Sequence, residues 1–216
     1  MEAVLRDFGD RNPSEDPGIH FYELFLKEYN PKQRIKRGVF YTPRPVVSFI
    51  VRSVHELLQT EFGLQDGLAD TATWGEMVRR YPKMKLPTVE VRDSGTGNAV
   101  QVPIDPNTPF VQILDPACGT GTFLVEVIET IHKAMHDKWL KEGRLMFELE
   151  DLWNDYVSDH LLPRLHGYEL LMAPYAIAHM KIGLKLKETG YHFRSPERVR
   201  VFLTNALEPS TDLSDS

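Results

Sequence analysis

The stretch Ile113-Leu114-Asp115-Pro116-Ala117-Cys118-Gly119-Thr120-Gly121-Thr122-Phe123-Leu124 restricts the fold more than any other part of the sequence. Phe110 to Leu114 is a short apolar run of strand type, closed by an acid, a proline and a small-residue loop. Leu124, Val127, Ile128, Ile131 and Met135 then recur at helical spacing, with Glu126, Glu129 and Lys133 on the other side. A strand, a glycine-bearing turn and a helix in this order are how an α/β sheet holds an adenine-bearing cofactor. The expected fold class is therefore α/β, with a parallel central sheet flanked by helices.

The loop chemistry narrows the ligand. A dinucleotide loop needs a third glycine where this chain has Leu124, and a P-loop needs a Lys after its glycines. An acid at the strand end suits a cationic group, such as the ammonium of an amino-acid moiety, better than a phosphate. Gly119 and Gly121 are expected to remove Cβ atoms where a ligand meets backbone.

Asp-Pro-Ala-Cys-Gly-Thr-Gly resembles motif I of S-adenosylmethionine-dependent methyltransferases in the form used by adenine-N6 DNA methyltransferases. It looks most like the modification part of type I, type IIG and single-chain type ISP restriction-modification enzymes. A second string, Gly38-Val39-Phe40-Tyr41-Thr42-Pro43, is similar to motif X of the same enzymes. The resemblance implies a Rossmann-like fold with S-adenosyl-L-methionine as cofactor. It implies that Phe40, Tyr41, Thr42 and Pro43 close over the methionine end, and that the turn from Asp115 through Pro116, Ala117, Cys118, Gly119, Thr120, Gly121, Thr122 and Phe123 cradles it.

Further along, Leu165 to Leu170 reads as a strand ending in an acid, followed by an Ala-rich helix. An acid at the end of a second strand accepts hydrogen bonds from ribose hydroxyls, and a charged acceptor is worth about 1.5–3 kcal/mol. Glu169 is the candidate, with Leu170 beside it, and Gly-Tyr-Glu-Leu resembles motif II. Fifty-four residues separate Asp115 from Glu169, against about 20 in a compact unit. A helix expected over 145–162 accounts for the excess if it loops out. Arg198 to Leu203 is a further strand, and Asn205-Ala206 stands where the family has motif III, with an amide in place of its acid.

The rest of the chain is read more simply. Phe21, Leu24, Phe25 and Tyr29 repeat at helical spacing, and the helix ends at Asn30-Pro31. The basic run Lys32, Arg34, Lys36 and Arg37 is a solvated surface or a set of candidate DNA phosphate contacts. Val47, Ile50, Val51, Val54 and Leu58 make an apolar helix face, and a further helix is expected over 64–81. Residues 87–92 and 99–104 alternate around a turn-rich linker, predicting a hairpin. We expect three parts: an N-terminal helical segment with the motif X loop (1–43), helices plus hairpin (44–109), and a truncated cofactor-binding core (110–216).

Composition sets the remaining bounds. Hydrophobic residues at 42% and charged residues at 26% suit a soluble domain. The net charge of -6 argues against a broad nucleic-acid footprint. One cysteine excludes an internal disulfide and fits a reducing, cytoplasmic setting. No membrane span and no secretory signal are expected. Cys118 reads as a small turn residue rather than a nucleophile, and His132 and His136 as packing or solvated side chains rather than metal ligands.

The Asn/Asp-Pro-Pro-Tyr/Phe string with which these enzymes hold the target base does not occur in the 216 residues. The expected function is thus the cofactor-binding portion of an adenine-N6 DNA methyltransferase, inactive alone and completed by catalytic, target-recognition and nuclease or translocase parts. Alternatives are a cytosine-N4 DNA methyltransferase, a protein glutamine methyltransferase, and a module that binds cofactor or a partner without chemistry.

Overall fold

The fold is taken from a computed structural model, which describes residues 42–207 apart from 93, 94 and 96. The expected helix around Phe21 to Tyr29, the basic run and the tail from residue 208 lie outside the described residues. Helix α1 (Arg44–Thr60) opens on Pro43, whose missing N–H costs nothing at a helix start. A one-turn helix at Gly67–Ala69 follows, then α2 (Trp74–Arg80). The single helix expected over 64–81 is thus broken, because Thr73 caps α2. Its Oγ1 accepts the Glu76 N–H at 3.3 Å, while Glu76 Oε2 accepts the Thr73 N–H at 2.8 Å.

The hairpin forms as expected, from β1 (Thr88–Arg92) and β2 (Ala99–Pro103). The strand before the turn is shorter than expected: β3 is Ile113–Asp115. The long helical region divides into α3 (Thr122–Lys141) and α4 (Met146–Tyr156), parted at the left-handed Gly143. Beyond α4 the chain winds through a π turn and a 3-10 turn that contains Pro163, rather than stopping at it. Then come β4 (Leu165–Glu169), α5 (Met172–Glu188) and β5 (Arg200–Leu203).

β3, β4 and β5 form a parallel sheet in that order, with Asp115 beside Gly167 and Glu169 beside Leu203. Ile113, Leu165 and Val201 point to the buried face under α3 and α5. Parallel neighbours joined by right-handed crossovers place both helices on one side.

The stretch at 145–162 does not loop out. Trp153 and Tyr156 of α4 are buried, and their rings stack at 5.8 Å. The Tyr156 hydroxyl donates to the Ala69 carbonyl at 2.7 Å and accepts from the Arg164 guanidinium at 2.6 Å. Arg164, itself buried, also donates to the Asp70 carbonyl at 2.8 Å. The insertion is therefore core, pinned at one end to the Gly67–Ala69 turn. At its other face Asn154 bridges to the chain after α5, donating to the Gly190 carbonyl and accepting from the His192 N–H.

Candidate cofactor site

Chain direction alone brings the candidate residues together. In a parallel sheet all strands end on the same edge, and Asp115, Glu169 and Leu203 close the three strands here. The Thr204 N–H donates to the Glu169 carbonyl at 2.8 Å, so Asn205 and Ala206 follow directly beside it. Asn205 Oδ1 accepts the Leu207 N–H at 3.1 Å.

The turn after β3 is held at both ends by carboxylates. Asp115 Oδ1 accepts the Ala117 N–H at 3.2 Å. Glu169 Oε2 accepts the Gly119 N–H at 2.9 Å, and its Oε1 accepts the Leu171 N–H at 2.8 Å. Both oxygens of Glu169 are thus engaged by backbone, though each keeps a lone pair for a further donor. The Cys118 N–H reaches the Tyr168 carbonyl at 2.9 Å, and the Gly121 N–H reaches the Cys118 carbonyl at 2.7 Å.

The two glycines differ in what they allow. Gly119 has φ +55°, and a Cβ added there would meet nothing within 4 Å. Gly121 has φ +78°, but its Cβ would lie 3.2 Å from the Ala178 Cβ on α5. Open space for a ligand therefore lies at Gly119. At Gly121 the absent Cβ also lets α5 pack against the turn.

Electrostatics separate the acids from the thiol. Burial raises the Asp115 carboxyl above the usual carboxylate range; the Ala117 N–H opposes this and the Glu169 carboxylate adds to it. Burial pushes the Cys118 thiol up to about 12, with Asp115 and Glu169 adding to the effect. A thiol in that state is not a ready nucleophile at neutral pH.

A carboxyl held high by burial and by a second carboxylate is relieved by a cation. Among the described residues, the other oxygen of Asp115 accepts no hydrogen bond. With the open space at Gly119, these residues fit the ammonium end of an amino-acid-bearing nucleoside. Around them, Pro116 and Ala117 are exposed, and Thr120 and Thr122 are half-buried. Phe123 packs on the core, and Leu170 is exposed just past β4.

Thr42 and Pro43 stand at the head of α1. The Ser48 hydroxyl donates to Glu126 of α3 at 2.6 Å, and Lys138 near the end of α3 pairs with Asp66 beyond α1 at 2.5 Å. Together the two ties run α1 and α3 side by side in the same direction, with their starting ends adjacent. Phe40, Tyr41, Lys32, Arg34, Lys36 and Arg37 lie outside the described residues.

One supporting residue was not anticipated from the sequence. A Cβ on Gly167 would sit 2.9 Å from Leu124 Cδ1 and 3.2 Å from Cys118 Sγ. The bare backbone of β4 therefore lets the turn lie flat on the sheet. A lone glycine within a strand pattern is the signal for such an approach. His132 packs edge-on against Trp153 at 4.7 Å. A separate cavity of about 240 Å³, lined by Asp66, Lys138, Trp139, Tyr156 and Asp159 among others, shares no residue with the turn.

Residues 15–72 match the family model described as N-6 DNA Methylase. The resemblance of this chain is to the N-6 DNA methylases. That match holds Phe40-Tyr41-Thr42-Pro43 and α1 and stops before the Asp115 turn, so motif I is a second resemblance to the N-6 DNA methylases on separate residues. No curated protein matches the sequence.

Similar solved structures include the following three. The cryoEM complex of DrdV with DNA is 26% identical, with TM-score 0.47, over 88% of this chain and 12% of that one. A nuclease-deletion mutant of the Type ISP restriction-modification enzyme LlaGI, in complex with a DNA substrate mimic, is 19% identical, with TM-score 0.49, over 100% and 15%. The ATP-dependent Type ISP restriction-modification enzyme LlaBIII, bound to DNA, is 22% identical, with TM-score 0.49, over 90% and 10%. This chain thus spans 10–15% of the length of those chains.

Proposed function

We propose that this chain is the S-adenosyl-L-methionine-binding portion of an adenine-N6 DNA methyltransferase of a restriction-modification system. The observation that carries the reading is the pair of carboxylates, Asp115 and Glu169, set at either end of the open turn around Gly119. Asp115 receives the ammonium of the cofactor, and Glu169 accepts from its ribose hydroxyls while still holding the turn. Phe40, Tyr41, Thr42 and Pro43 cover the methionine end. Asn205 offers its amide oxygen toward the adenine side, with Ala206 and Leu170 beside it. The sheet at 110–216 is the first half of a Rossmann-like core, preceded by a helix-and-hairpin part at 44–109 and the motif X segment at 1–43.

The bound cofactor supplies an activated methyl group. This chain contributes binding and orientation, and holds no Asn-Pro-Pro-Tyr to seat a base. Extruding a base from the stack costs a few kcal/mol, so the chain alone does not methylate DNA. DNA is the partner of the complete enzyme, with Lys32, Arg34, Lys36 and Arg37 as candidate phosphate contacts; nuclease or translocase parts complete it. The described residues hold no helix long and apolar enough to cross a membrane, and the proposed setting is the cytoplasm.

The test is methyl transfer from labelled S-adenosylmethionine to unmethylated DNA. The expected result is no N6-methyladenine with the chain alone, and methylation when the same chain is joined to a catalytic part bearing Asn-Pro-Pro-Tyr. N4-methylcytosine or methylated glutamine in its place would overturn the adenine assignment.

A further inference from the structure

The cavity of about 240 Å³ stands apart from the Asp115 turn. It is smaller than the ~300–1,000 Å³ pockets that take drug-sized ligands, so it suits a single side chain. Its walls come from the Gly67–Ala69 turn, the second half of α3, α4 and the π turn at Val157–Leu161. Met135 and Leu152 give the wall an apolar part against which an alkyl stem can lie.

The polar groups on the wall are unevenly matched. Asp66, Asp155 and Asp159 share it with one lysine. Lys138 is taken by Asp66 at 2.5 Å. Asp155 and Asp159 make no ion pair or hydrogen bond among the described residues. They lie four residues apart, a spacing at which like charges on a helix repel. His160, also on the wall, is held toward its neutral form by burial and by Arg164. Arg164 itself lies behind the Tyr156 hydroxyl, with the Asp70 carbonyl as a further acceptor.

Trp139 is an independent observation. It lines the cavity, is 8% exposed, and its indole N–H reaches no acceptor among the described residues. Its neighbours differ: the Trp153 N–H donates to Thr189, and the Tyr156 hydroxyl both donates and accepts. A buried donor without a partner is rare in a native fold and asks for an acceptor. The wall thus offers two carboxylates to a cation and one N–H to a carbonyl.

We propose that this cavity receives an arginine residue of a peptide segment, which brings Asp155 and Asp159 a guanidinium and Trp139 a carbonyl oxygen. A guanidinium presents five donors in a planar fork, so one group can serve two carboxylates, and it sheds water more readily than an ammonium. The site shares no residue with the proposed cofactor site and does not rest on that reading.

The experiment follows the Trp139 indole N–H signal by NMR in the isotope-labelled full chain, the signal being identified by its loss in Trp139→Phe. N-acetyl-arginine amide is titrated in without S-adenosylmethionine, so the outcome is independent of cofactor binding. We expect a saturable shift, with affinity about fivefold weaker in Asp155→Asn/Asp159→Asn. Asp137→Asn/Asp151→Asn removes the same charge from exposed positions outside the cavity and should leave affinity unchanged. N-acetylglutamine amide, which carries no charge, should leave the signal in place. Free arginine, whose own carboxylate meets the two acids, should bind more weakly than the blocked form. No shift at tens of millimolar, an equal response to the uncharged amide, or affinity undiminished in Asp155→Asn/Asp159→Asn would overturn the proposal. Tighter binding of free arginine would overturn the assignment to a peptide segment.

Discussion

The backbone N–H of Gly119 donates to Glu169 Oε2 at 2.9 Å, across 50 residues of sequence. The turn after the first parallel strand is thereby fastened to the end of the second. The shape of this turn and the proposed ribose acceptor are one unit.

That coupling makes Glu169→Ala a double loss. It strands the N–H groups of Gly119 and Leu171, at about 1–3 kcal/mol for a buried unsatisfied group, and it removes the proposed ribose acceptor. We predict a lower urea midpoint and at least a tenfold weaker affinity for S-adenosylhomocysteine. Glu169→Gln keeps one accepting oxygen and should fall between. Wild-type stability in Glu169→Ala would show that the carboxylate does not hold the turn.

Gly119 and Gly121 should respond differently to the same added methyl. Both have left-handed backbone, where a side chain costs about 1–2 kcal/mol. At Gly119 nothing else stands in the way, whereas at Gly121 the methyl presses on Ala178. Gly121→Ala should therefore destabilise more than Gly119→Ala in chemical denaturation. Gly119→Val should leave a folded sheet, judged by circular dichroism, and abolish ligand binding. Equal costs for the two Ala variants would remove the packing role of Gly121.

Asp115 gives a pH dependence of defined sign. Its carboxyl is raised in the folded chain, chiefly by burial, so the native state holds this proton more tightly than the unfolded state. The contribution favours folding at low pH and is lost as pH rises from the usual carboxylate value through the raised one. Asp115→Asn should thus be more stable than wild type at neutral pH, with the gain shrinking as pH falls. A ligand ammonium favours the ionised carboxylate. Affinity should therefore drop as pH is lowered through the raised value, with proton release on binding in that range. Calorimetry in buffers of different ionisation enthalpy measures both effects, and a pH-independent affinity would exclude Asp115 from the ammonium site.

Tyr156 tests the inserted helix. Tyr156→Phe removes the donor to Ala69 and leaves buried Arg164 without one of its acceptors. The expected loss is about 1–3 kcal/mol, read as a lower thermal midpoint, with ligand affinity unchanged.

What the sequence made legible follows from how local each feature is. The small-residue turn after an apolar strand, and the acid closing the next one, are written in consecutive residues, so Asp115 and Glu169 could be named before the fold was known. The hairpin was legible for the same reason. The path of α4 was not, because it depends on Trp153 and Tyr156 meeting partners far along the chain: Tyr156 reaches Ala69, 87 residues away. The packing of Gly121 against Ala178 was not legible, because a glycine signals close approach without saying to what. The Thr73–Glu76 capping box lay in plain view and would have divided the helix expected over 64–81.

The most direct measurement of the central claim is calorimetric titration of S-adenosylhomocysteine into the chain and into Asp115→Asn and Glu169→Ala. The account predicts saturable one-site binding to the chain, weakened at least tenfold in each variant. Saturable binding that neither substitution alters, or no binding up to millimolar ligand by a chain whose folding is verified, would contradict it.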